Sequence, residues 1–249
     1  MTSERATFSN DVPILLLPPS EGKAAGGSAR RTPWAPDAGS FGRTLGDRRT
    51  EIVHALAGCQ GGDEKLLGVR GEHLDRAQSA NLTLIGAPVL PAWQRYTGVV
   101  WEHLDPSSLP AAARRRIVVV SGLLGLVRGD DPVPDYRLKM AANLAPLGKL
   151  STWWRPALSA DLARVARGRV VIDLLPIEHR AALDLHQVVH HAQGRVEVVT
   201  LSLVDRSGKP GGHFAKAAKG ALARAILTDG TAAIDTWRDD RFDVVAATL

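Results

Sequence analysis

Three short segments concentrate the residue types that do chemistry. The first is Pro18-Pro19-Ser20-Glu21-Gly22-Lys23, directly after the apolar run Ile14 to Leu17. Within four residues it offers a hydroxyl, an acid and a cation. Ser20 would hydrogen-bond or act as a nucleophile, Glu21 would transfer protons, and Lys23 would clamp an anion. Pro18-Pro19 stiffens the approach, and Gly22 lets a ligand come close to the backbone. A rigid turn with solvated side chains would give the same residues. The second segment is Ser121-Gly122-Leu123-Leu124-Gly125-Leu126-Val127-Arg128, followed by Asp135-Tyr136-Arg137. Arg128, Tyr136 and Arg137 form an anion-binding set if they converge; the alternative is Arg128 paired with Asp130 or Asp131 at the surface. The third runs from Gly212-His213 to Lys216, Lys219, Gly220 and Arg224. Its cations fall near one helical face. His213 stands at the helix start, where free N–H groups favour anions. An ordinary helix with a solvated charged face fits the same pattern.

Other patterns carry less. Asp173 supplies a second acid at the end of an apolar run. His186 and His190 have the spacing of a zinc-protease helix, but Gln187 stands where the catalytic Glu would be. With His179 and His191 they read as surface or partly buried histidines. Arg114-Arg115-Arg116 reads as a solvated element end. Leu66 to Leu74 has two glycines in a hairpin, faintly like a helix-hairpin-helix that offers N–H groups to DNA phosphates. The usual Gly-apolar-Gly spacing is widened here by Arg70.

The elements that must position these residues alternate between strand and helix. Strands are expected at Ile14 to Leu17, Ile117 to Val120, Tyr136 to Met140, Val170 to Leu174, Val196 to Val204 and Phe242 to Thr248. Helices are expected over Arg48 to Ala57, Glu64 to Ala80, Ala92 to Leu104, Ser151 to Arg167 and His213 to Leu227. Residues 24–40 and 122–134 read as loops, and Ser207 to Gly212 as a turn. This alternation predicts a mixed α/β fold, one domain over 1–249, with a buried central sheet flanked by helices. Residues 1–11 read as a flexible tail. There is no Gly-rich dinucleotide fingerprint, so a Rossmann site is not expected. A P-loop is not expected either, because Lys23 is followed by Ala24 and the upstream glycine is missing.

Composition narrows the classes. The 249 residues are 45% hydrophobic and 23% charged, ordinary for a globular protein with a sizeable core. The single cysteine, Cys59, rules out an internal disulfide and a thiolate zinc site. The apolar runs are too short to span a bilayer. Met1 to Asn10 has no apolar signal core, which makes the cytoplasm the expected compartment. Net charge is +5 with a pI near 9.7, and arginine dominates the cations. That bias fits contact with nucleic acid or phosphorylated ligands; GC-rich codon usage would produce it too.

In order along the chain, P-P-S-E-G-K (18–23), R-Y-T-G-V (95–99), G-L-V-R (125–128), P-D-Y-R-L (134–138), W-R-P-A-L-S (154–159), V-V-I-D-L (170–174) and H-F-A-K-A-A-K-G (213–220) resemble the YaaA peroxide stress-response family. The similarity runs from Ile14 to about Leu227. It implies an unusual mixed α/β fold with a basic cleft to which DNA binding is attributed, and a role in limiting iron and oxidative DNA damage. Matching positions are Ser20 and Lys23; Arg95, Tyr96 and Gly98; Arg128, Tyr136 and Arg137; and His213, Lys216, Lys219 and Gly220. The sequence departs from the family after Asp173-Leu174, where many relatives have Arg-Ser. Here Leu175-Pro176 stand, followed by Glu178 and His179, and Gly212 replaces a common Ser.

Three readings follow. In the first, DNA or another phosphate-bearing ligand binds Lys23, Arg95, Tyr96, Arg128, Tyr136, Arg137, His213, Lys216, Lys219 and Arg224, with no cofactor and no metal. In the second, an enzyme of specialised metabolism acts on a small nucleotide-like or anionic substrate, using Ser20, Glu21, Lys23 and Asp173. The third, iron binding, draws on His179, His186, His190 and His191.

Overall fold

The computed structural model describes residues 13–28, 32–207 and 212–249. The expected N-terminal tail and most of the 207–212 turn lie outside the described residues. A six-stranded mixed sheet organises the fold: β1 (Ile14–Leu17), β2 (Ile117–Ser121), β3 (Gly125–Arg128), β4 (Arg169–Asp173), β5 (Val196–Asp205) and β6 (Phe242–Thr248). Their order across the sheet is β6-β5-β4-β1-β2-β3. β1 pairs in parallel with both β2 and β4, and β4 with β5. β3 and β6 close the two edges in antiparallel pairing.

The pattern of burial follows from this order. β1 and β2 are covered on both faces, so their residues are uniformly apolar except at the ends. β6 is an edge strand and is largely exposed after Phe242. One apolar cluster joins both faces of the sheet to the helices α1 (Gly42–Gly58), α2 (Val99–Leu104), α3 (Leu150–Ala166) and α4 (Gly212–Asp229). α4 lies directly on α2. Gly220 permits that contact, because a Cβ there would sit 2.4 Å from the Val100 carbonyl oxygen.

The strand ends meet at a topological switch. The chain leaves β1 toward β2 on one side, while β4 lies on the other side of β1 and leads on to β5. The loops after β1 and β4 therefore diverge and open a crevice between them, the usual ligand position in open α/β sheets.

Several expected elements differ. The expected helix over 64–80 is two helices, Glu64–Leu67 and Glu72–Leu82, because Gly68 caps the first in the left-handed region at φ 65°. The helix expected over 92–104 is also split. Tyr96 is extended and bridges to Lys23. Loop 122–134 contains β3, which forms a hairpin with β2. Tyr136 to Met140 is not a strand. Its backbone is bracketed instead by the Asn81 side chain: Arg137 N–H donates to Oδ1 at 3.0 Å, and Nδ2 donates to the Arg137 carbonyl at 2.9 Å. A side-chain amide thus does the work of a neighbouring strand.

Candidate functional site

A cleft of about 500 Å³ opens at the switch point. Its walls are the Pro18–Lys23 loop after β1, the Pro176–His179 segment after β4, the Tyr136–Lys139 segment, the start of α2 and the face of α4 bearing Lys216 and Lys219. A smaller recess of about 220 Å³ adjoins it. The recess shares Glu21, Lys23, Tyr136 and Arg137 with the cleft and reaches Val69 in the 68–71 hairpin, His73 and Arg76.

The Pro18–Lys23 loop is held by backbone and hydroxyl contacts. The Ser20 hydroxyl donates to the Gly22 carbonyl and accepts from Thr97 N–H at 2.9 Å. Trp101 Nε1 donates to the Pro18 carbonyl at 3.2 Å. Gly98 lets the 95–99 segment press against this loop, since a Cβ there would lie 2.8 Å from the Ser20 Cβ. Ser20 thus spends its hydroxyl on shaping the turn.

Lys23 is a cation of the cleft with little local compensation. Its Nζ donates to the Ser20 carbonyl at 3.1 Å and lies 4.2 Å from the centre of the Tyr136 ring and 5.8 Å from that of Tyr96. Among the described residues no carboxylate reaches ion-pairing distance of it. Burial pulls its pKa down to about 8, against the partial support of Asp135 and Glu21. Tyr136 itself is buried. Its hydroxyl is 2.7 Å from Ser121 Oγ and 3.0 Å from the Tyr96 hydroxyl, and burial pushes its pKa up to about 12.

Glu21 bridges the cleft's far wall, 3.1 Å from Arg137 Nη2 and 3.8 Å from Lys139 Nζ. Lys219 Nζ donates to the Leu174 carbonyl at 2.8 Å, and burial lowers its pKa despite Asp173 nearby. The lining therefore sets five cations (Lys23, Arg137, Lys139, Lys216, Lys219) against two carboxylates, Glu21 and Glu178.

The structure brings Ser20, Glu21, Lys23, Tyr136, Arg137, Lys216 and Lys219 together with His179, and leaves Arg95, Tyr96, Arg128, Asp173, His186, His190, His191, His213 and Arg224 out of the lining. Arg95 is fully buried, and its guanidinium donates to the carbonyls of Ala24, Gly26, Pro88 and Val133. Tyr96 lies behind Tyr136. Arg128 donates to the Arg115 carbonyl, and Arg224 to Leu104 and Asp105. His213 is exposed at the start of α4. Asp173 is fully buried, taking the Leu175 N–H at 2.7 Å and the Arg180 guanidinium. It holds the loop after β4 and does not face the cleft. Among the described residues no three His, Cys, Asp or Glu side chains gather as metal ligands. No helix there is long and apolar enough to cross a membrane.

One lining cation escaped the sequence reading. Lys139 follows Arg137 by two positions, and in an extended segment that spacing puts both on one side. His179, expected with the later histidines as surface or partly buried, lines the cleft without them; its place just after a buried strand is what sets it apart.

A family model described as "Peroxide stress protein YaaA" matches residues 14–243. The chain belongs to this family. It is 35% identical to a UPF0246 protein of Streptomyces coelicolor over 94% of this chain and 92% of that one. UPF0246 proteins of Corynebacterium glutamicum and Corynebacterium efficiens are 33% and 34% identical, each over 86% of this chain and 84% and 85% of theirs. Membership of the YaaA family supports a role in the response to peroxide stress. The family-like blocks are also neighbours in space: the 18–23 loop lies against 95–98, and Tyr96 meets Tyr136.

Proposed function

We propose that this YaaA-family protein serves the cytoplasmic peroxide stress response by binding a phosphate-bearing ligand of about nucleotide size in the cleft. The observation that carries this reading is Lys23. An ammonium group sunk between aromatic rings, with one carbonyl contact and no carboxylate partner, is costly without an anion. Lys219, with its single carbonyl contact, has the same need from the opposite wall. Arg137, Lys139 and Lys216 supply further donors. About 500 Å³ is the size of a small-molecule site.

A second reading, a DNA strand lying across the cleft, is favoured by the 68–71 hairpin, whose Val69 lines the adjoining recess. Thermal unfolding against nucleotides, pyrophosphate and short DNA duplexes at two salt concentrations separates the readings. A ligand that binds only the folded state raises the melting temperature. The small-ligand reading expects a shift with nucleotides or pyrophosphate that survives physiological salt. A shift with duplex alone, collapsing in salt, favours DNA. No shift with any phosphate compound removes both.

A further inference from the structure

We propose that His179 is the proton-accepting residue of the cleft, taking a proton from an oxygen of the bound phosphate compound or from water beside it. The ligand half of this statement rests on the phosphate reading above; the ring chemistry does not.

His179 sits in the short helix Ile177–Arg180, just after β4, and is buried while lining the cleft. Its Nδ1 lies 2.8 Å from the carbonyl oxygen of Val120, near the end of β2. A carbonyl only accepts, so Nδ1 carries a proton whether the ring is neutral or charged. In the neutral ring that leaves the lone pair on Nε2. Nε2 lies 3.5 Å from Glu178 Oε1. An ionised carboxylate has no proton to give, so two acceptors face each other, and a proton arriving at Nε2 is shared with Glu178.

The charges around the ring set its poise. Burial holds its pKa below the ordinary histidine value, and Lys219 on α4 pushes the same way; the Val120 carbonyl and Glu178 oppose them. Arg180, the other cation of the short helix, is turned onto Asp173. The balance keeps His179 neutral and ready to accept at neutral pH. In the step itself an O–H bond breaks, the electron pair stays on oxygen, and an Nε2–H bond forms. The imidazolium is held by Glu178, and the new oxyanion is left to Lys23 and Lys219.

Nitrogen-15 NMR of histidine side chains in the full chain, from pH 5 to 9, tests this with and without inorganic pyrophosphate. His179→Gln assigns the signal. Should that variant not fold, Glu178→Gln assigns it, by lowering the His179 midpoint about 1 unit through loss of the carboxylate. The expected result is an Nδ1–H ring with bare Nε2 at pH 8, a midpoint below ordinary histidine, and an upward move of that midpoint when pyrophosphate binds. An Nε2–H ring at pH 8, or a midpoint indifferent to bound pyrophosphate, overturns the proposal. If pyrophosphate does not bind, the phosphate reading fails. His179 is then judged with phosphate-free buffer alone, where a ring that stays uncharged down to pH 5 overturns it.

Discussion

The Lys23 ammonium lies 4.2 Å from the centre of the Tyr136 ring, and the Tyr136 hydroxyl is anchored behind it on Ser121 at 2.7 Å. The ring is thus fixed as a wall for the cation. Tyr136→Leu removes the aromatic face, and a cation–π contact of about 1 kcal/mol corresponds to about 0.7 pKa units. The titration midpoint of Lys23 then falls further below 8. Tyr136→Phe keeps the face and loses two buried hydroxyl contacts. It costs about 1–3 kcal/mol of stability and leaves the Lys23 midpoint in place. Lysine side-chain NMR and chemical denaturation read the two effects separately.

Lys23 also makes stability depend on pH. Its folded-state pKa of about 8 is below the ordinary 10.5. Between those values the unfolded chain holds a proton that the folded chain has shed, so this group's contribution rises with pH through that window. Its penalty is fully present below pH 8. Lys23→Met is therefore expected to be more stable than the parent at pH 7, with the gap narrowing toward pH 10.5. A variant less stable at pH 7 would count against an ammonium group desolvated there without a carboxylate partner.

Arg95 makes a contrasting prediction. Its guanidinium ties four carbonyls from the 24–26, 88 and 133 segments. Arg95→Met strips those carbonyls of a charged donor and is expected to cost about 3 kcal/mol or more. Thermal or urea unfolding measures it. Arg49 plays the same part for Pro36, Ala38, Leu124 and Leu126.

These two arginines show how much of the fold and site was legible in the sequence. Apolar runs such as Ile14–Leu17 and Ile117–Val120 announced their strands, because burial and pairing there act on every residue. The chemical segment 18–23 stood out by its residue types. Arginine counting did not locate the site, since guanidinium groups at 49, 95 and 224 serve backbone carbonyls, and composition does not separate those from phosphate donors. Tyr136 to Met140 reads as a strand, but Asn81, 55 residues earlier in the chain at its nearest, holds the Arg137 backbone where a partner strand would. His179 depends on the Val120 carbonyl across the sheet, a contact with no local signature.

Gly98→Ala tests the packing between two family-like segments. The added Cβ would meet the Ser20 Cβ at 2.8 Å, so the 18–23 loop must move. Since this residue's backbone is ordinary, at φ −76°, the cost is one of contact and not of conformation. About 1–3 kcal/mol is expected, with a weakened ligand site. Unchanged stability and unchanged binding would mean that the loop is not held against Gly98.

The most direct test of the cleft as an anion site is calorimetric titration of inorganic pyrophosphate into the parent protein and into Lys23→Met at pH 7 and physiological salt. A charge-assisted contact of about 1.5–3 kcal/mol predicts roughly 10- to 150-fold weaker binding in the variant, although that variant is the more stable protein. Equal affinity in the two proteins would contradict the assignment of Lys23 as the anion's partner.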